Sequence, residues 1–129
     1  MIDQGDKTTA RILVVDDEPS ITDLVSMALR YEHFAVQVAH GGREAIVAVE
    51  DFSPDLVVLD VMMPIMDGYT AAVAIRNYPR TASLPILVVT AKGDMRHLFE
   101  AIPSVAVFFE KPFDPKDLRA VIAKVTAGK

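Results

Sequence analysis

Five side chains able to handle a charged oxygen species stand at the ends of short apolar runs. Asp16-Asp17 follow Ile12-Leu13-Val14-Val15, and Asp60 follows Leu56-Val57-Val58-Leu59. Thr90 closes Ile86-Leu87-Val88-Val89, and Lys111 comes after Val105-Ala106-Val107-Phe108-Phe109 and Glu110. Two carboxylates about 4 Å apart repel by roughly 4 kcal/mol at an effective dielectric near 20, so three in one pocket call for a cation. Donors that are all oxygen suit Mg²⁺, which takes octahedral geometry, keeps several waters and bridges protein carboxylates to phosphate. A carboxylate is also a nucleophile toward phosphorus, giving an aspartyl-phosphate. An aspartate is ordinarily ionised at neutral pH, so such a nucleophile needs no histidine as base. Phosphoryl transfer depends on positioning and charge neutralisation, which a lysine and a hydroxyl supply.

For these residues to meet, the apolar runs must be parallel neighbours. Short, β-branched, nearly all-apolar runs are the mark of strands buried on both faces. Open α/β sheets keep their sites at the carboxyl ends of such strands. The pattern predicts strands at Arg11–Val15, Ala35–Ala39, Leu56–Asp60, Ile86–Thr90 and from Val105. Pro19 opens the first helix, with Leu24, Val25, Ala28 and Leu29 as its apolar stripe to about Tyr31. Gly41-Gly42 turns into a second helix through Ala45, Ile46 and Val49, and a third runs through Ala71, Ala72 and Ile75. Residues 94–102 form a short helix on this reading, stopped by Pro103. Asp114-Pro115 reads as an N-cap and first-turn proline before a last helix with Leu118, Val121, Ile122 and Val125 buried. Five strands alternating with five helices indicate a doubly wound α/β fold, its sheet covered on both faces.

A length of 129 residues fits one domain, expected over 11–127 after a disordered lead-in at 1–10. Half the residues are hydrophobic, and the net charge of -5 argues against nucleic acid as a direct ligand, which requires a basic face. The absence of cysteine excludes disulfides, thiolate catalysis and zinc-thiolate sites. The first residues lack the apolar region of a signal peptide, and no run is long enough to span a bilayer, so a cytoplasmic protein with no membrane partner is expected.

With these residues in this order, the chain resembles the receiver domain of two-component response regulators, the CheY-like family. The resemblance is carried by Val14-Val15-Asp16-Asp17-Glu18-Pro19, Leu59-Asp60-Val61-Met62-Met63-Pro64, Met66-Asp67-Gly68, Val89-Thr90-Ala91 and Lys111-Pro112-Phe113. It implies a flavodoxin-like (βα)5 fold whose five-stranded parallel sheet has the order 2-1-3-4-5. It implies that Asp60 is the phosphoacceptor, loaded from a sensor histidine kinase or a histidine phosphotransfer protein in a phosphorelay. Asp16, Asp17, Asp60 and the backbone carbonyl of Met62 would hold Mg²⁺, Asp16 through water. Lys111, Thr90 and Ala91 would bind the phosphoryl group, and the Lys111-Pro112 bond would be cis, with Pro112 as the cis-proline. Thr90 and Phe108 would form the switch, Phe108 turning inward as Thr90 moves toward the phosphoryl group; the plainer reading of Phe108 is a core residue. The resemblance implies no enzyme beyond the domain's own aspartyl phosphorylation and dephosphorylation. Output would pass to a downstream protein target or a fused output domain, a phosphorylation-dependent dimer being left open. The alternative is a receiver-like interaction module that acts independently of phosphate.

Two departures stand out. Ala106 and Val107 occupy places where dimerising family members often carry acids, and Val121 stands where they carry an arginine. The salt-bridged dimer of that group is therefore not expected here. An apolar face with Val107, Phe109 and Val121 is expected instead, either as a partner surface or as a more deeply buried fifth strand. The stretch from Thr90 to Lys111 is one residue short and has Pro103-Ser104 in place of the usual glycine. Other candidates are plainer. His33, His40 and His97 show no metal-ligand spacing, Gly41-Gly42 is a turn, and Met62, Met63 and Met66 line the loop after Asp60. Phe34, Phe52 and Phe99 are core. A Mg²⁺-dependent phosphohydrolase needs a second acid close after its nucleophile, and Val61-Met62 stand there. Asp16-Asp17-Glu18-Pro19 is a poor cradle for a flavin phosphate.

Overall fold

Alternate residues of a strand face opposite sides of a sheet, and in this chain both sides are apolar. In the computed structural model, which describes residues 10–60, 68–81, 83–90, 105–110 and 114–127, they form two separate cores. The strands are β1 (Arg11–Val15), β2 (Ala35–Ala39), β3 (Leu56–Asp60), β4 (Ile86–Thr90) and β5 (Val105–Glu110). The α-helices among the described residues are α1 (Pro19–Tyr31), α2 (Gly42–Phe52), α3 (Gly68–Asn77) and α4 (Pro115–Thr126), with a 3-10 turn at Pro79–Thr81. The expected helix at 94–102 lies outside the described residues.

The sheet is parallel, in the order β2-β1-β3-β4-β5. Leu13, Val15, Val57, Leu59, Ile86 and Val88 point to one face, where they pack with Ala45 and Val49 of α2 and Ala71, Ala72 and Ile75 of α3. Ile12, Val14, Leu56, Val58, Leu87 and Val89 point to the other, against Val25 and Leu29 of α1 and Leu118 and Ile122 of α4. Helices on both faces follow from right-handed crossovers between parallel strands. β3 lies between β1 and β4 and is buried along its whole length. Between Ile86 and Leu87 the register with β5 shifts, from Val105 to Val107, so Ala106 is the extra residue of a β-bulge.

The element ends have local causes. Pro19 begins α1, where a missing N–H costs nothing. The helix closes with a Schellman motif: His33, at φ 70°, donates its N–H to the Arg30 carbonyl, and Phe34 donates to Leu29. Asp114 caps α4 as expected, accepting the Lys116 N–H at 2.9 Å, with Pro115 in the first turn. At the amino end of the sheet the Arg11 guanidinium lies 4.2 Å from the Phe52 ring centroid and donates from Nε to the Phe52 carbonyl.

Two expectations are corrected. Leu24 is not part of the buried stripe of α1: it is 49% exposed, and Thr22 and Ser26 are buried with Val25 and Leu29. Ala10 is not part of a disordered lead-in: it is buried, and its carbonyl accepts the Ala35 N–H. Val121 and Val125 pack partly against the core that holds Leu118 and Ile122, as expected of the buried stripe of the last helix. Phe34 and Phe52 pack against the two cores as expected, while Phe99 lies outside the described residues.

Candidate functional site

The register of the two central strands creates the site. Val15 pairs with Leu59, so the residues that follow, Asp16 just past β1 and Asp60 at the end of β3, stand side by side at the carboxyl edge of the sheet. Both carboxylates are only 3% exposed. Asp17, one residue further on, reaches the surface, and one oxygen from each of the three aspartates falls within 4.8 Å of the others. For the buried pair the repulsion at that spacing is on the order of 3 kcal/mol at an effective dielectric near 20. Among the described residues this is the group able to hold a metal ion, and its donors are all carboxylate oxygen. That donor set fits a hard divalent cation.

Asp16 is held from several sides. Its N–H donates to the Ala39 carbonyl at 3.1 Å, and its Oδ1 accepts the Glu18 N–H at 3.0 Å. Its carbonyl lies 3.2 Å from Nδ1 of His40. His40 follows β2 as Asp16 follows β1, because Ala39 and Val15 are in register. Sequence reading passed over His40 by searching for metal-ligand spacing. The signal was positional: applying the strand-end argument to β2 as well as to β1 and β3 would have found it.

Thr90 ends β4 one step beyond Val89, the partner of Asp60, and pairs with Glu110. The backbone of Thr90 is thus placed at the carboxyl edge beside the aspartates, while its side chain lies outside the description. Phe108 pairs with Val88 in β5, again described by its backbone alone. Met62, Ala91, Lys111 and Pro112 lie outside the described residues. Of the expected site, the structure brings together Asp16, Asp17 and Asp60. His33 serves the end of α1, far in role from any ligand set.

Comparison with known proteins agrees with this geometry. The profile of the response regulator receiver domain matches residues 12–123. The chain is 38% identical over 111 residues to the DNA-binding dual master transcriptional regulator RpaA of Synechocystis, covering 85% of this chain and 46% of that protein. It is 38% identical over 123 residues to the DNA-binding response regulator MtrA of Mycolicibacterium smegmatis, covering 95% of this chain and 51% of that one. The chain therefore spans about half the length of these relatives. The chemotaxis response regulator CheY4 of Vibrio cholerae superposes with a TM-score of 0.85 at 31% identity, covering 92% of this chain and 99% of that one. The chain belongs to the response regulator receiver domain family, the signal-receiving module of two-component systems, and has its flavodoxin-like α/β fold. No helix among the described residues is long and apolar enough to cross a membrane.

Proposed function

We propose that this receiver is a phosphorylatable switch that takes a phosphoryl group onto Asp60 from a phosphohistidine of a sensor kinase or phosphotransfer protein. The observation that carries the reading is the meeting of the Asp16, Asp17 and Asp60 carboxylates within 4.8 Å at the carboxyl ends of β1 and β3. An oxygen of Asp60 attacks phosphorus, the N–P bond breaks, and its electron pair returns to the imidazole nitrogen of the donor. Asp16, Asp17, Asp60 and the Met62 carbonyl are the residues that would hold Mg²⁺. When bound, the ion neutralises charge on the transferring group. Asp60 ends a strand that is buried along its whole length, beside Asp16 at the carboxyl edge of the sheet. Lys111 pairs with the phosphoryl oxygens, and Thr90 and Ala91 donate to them.

The added charge then biases a pre-existing equilibrium in which Thr90 and Phe108 differ, because contacts to the phosphoryl group favour one arrangement. The response reaches a downstream protein or a fused output domain. The net charge of -5 supports an output carried by protein contacts rather than by nucleic acid bound to this domain. The domain acts on no substrate other than its own aspartyl group.

Intact mass after incubation with acetyl phosphate, with and without Mg²⁺ and beside Asp60→Asn, tests the reading. One Mg²⁺-dependent phosphoryl adduct, absent from the variant, is expected. No adduct on folded protein would favour the phosphate-independent interaction module.

A further inference from the structure

Asp16 has its main chain held at both its N–H and its carbonyl by the end of β2. Its N–H bonds to Ala39, and its carbonyl meets the side chain of the very next residue, His40, at Nδ1. A carbonyl oxygen has no proton to give, so Nδ1–H is the donor in this contact. His40 is itself held: its N–H donates to Oε1 of Glu44, in the first turn of α2, at 3.0 Å. The imidazole is exposed, packs into neither core, and makes its hydrogen bond to the peptide between the two acids. Rotation of that peptide would swing Asp17 relative to Asp16, and with it the spacing of the trio.

We infer that His40, anchored by Glu44, is a positioning residue that fixes the Asp16–Asp17 peptide and so tunes the affinity of the acidic site for a divalent cation. This rests on the reading of Asp16, Asp17 and Asp60 as the Mg²⁺ site. Partners that orient metal ligands without touching the metal change affinity through geometry. An exposed hydrogen bond of this kind is worth a factor of about three to ten in binding.

The test is Mg²⁺ titration of the whole chain by calorimetry, with thermal midpoints measured alongside. His40→Ala should bind Mg²⁺ about three- to tenfold more weakly while melting within a degree or two of the parent. His40→Asn, whose amide nitrogen falls near the position of Nδ1, should restore binding to within about twofold. His40→Gln, with its donor one bond further out, should not. Equal Mg²⁺ affinity in the parent and His40→Ala would overturn the inference, as would a loss in His40→Asn as large as in His40→Ala. Absence of Asp60-dependent Mg²⁺ binding in the parent itself would remove both this inference and the assignment of the metal site. The parent titration therefore separates the two failures.

Discussion

Val15 stands in register with Leu59 across the two central strands, so the buried Asp16 and Asp60 emerge next to each other from a single sheet edge. Their proximity is a property of strand pairing, and it stores repulsion in the folded state. Removing one charge should release some of it. Asp60→Asn is expected to raise the thermal midpoint in Mg²⁺-free buffer by roughly 3–6 °C, equivalent to about 1 kcal/mol. Melting curves in a chelator check this, and a lower midpoint would contradict it.

Mg²⁺ should act in the opposite sense on the parent. A ligand at a hundred times its Kd adds about 2.7 kcal/mol to stability when it binds only the folded chain. The melting midpoint should therefore climb by roughly 10 °C in saturating Mg²⁺ and fall back on chelation. In Asp60→Asn the rise should be much smaller. Thermal scans at several Mg²⁺ concentrations measure both.

Lys111→Ala separates chemistry from response. On the proposed mechanism the variant still takes up phosphate from acetyl phosphate, as seen by intact mass, but loses the spectral change that accompanies phosphorylation of the parent. Matching spectral shifts in the two proteins would exclude Lys111 from the coupling.

His33 is a non-glycine residue at φ 70°, the left-handed position that ends α1. A side chain there strains the backbone, and glycine does not. His33→Gly is expected to stabilise the fold by about 0.5–1 kcal/mol, and His33→Val to destabilise it. Urea midpoints at constant m decide the matter.

Leu59 is fully buried in the core beneath α2 and α3, immediately before the proposed phosphoacceptor. Leu59→Ala should cost about 2–5 kcal/mol through lost burial and a residual cavity. Equilibrium denaturation gives the value.

Strands whose two faces are both buried announce themselves, which is why β1, β3 and β4, and the aspartates at the ends of β1 and β3, were legible from residue order alone. The phase of α1 was less so. Leu24 lies about 200° around the helix from Thr22 and faces water, while Thr22 turns inward because its hydroxyl bonds back to the Pro19 carbonyl. Hydropathy ranks those two residues the other way round. The contact of His40 with Asp16 depends on the pairing of Ala39 with Val15, two residues far apart in the chain, and on a main-chain acceptor that carries no residue signature. The bulge at Ala106 is a matter of strand register as well; a short connection hinted at irregularity without locating it.

β3 has a strand on either side and a helical layer on each face. Its amide protons have no route to solvent short of global unfolding, so they should be among the slowest in the molecule to exchange with deuterium. The group proposed to receive phosphate thus grows from a strand buried along its whole length. A charge added at that point has little freedom to move the strand that bears it. The displacement must be absorbed around it, and changes in deuterium uptake on phosphorylation should appear in the flanking segments while β3 stays silent.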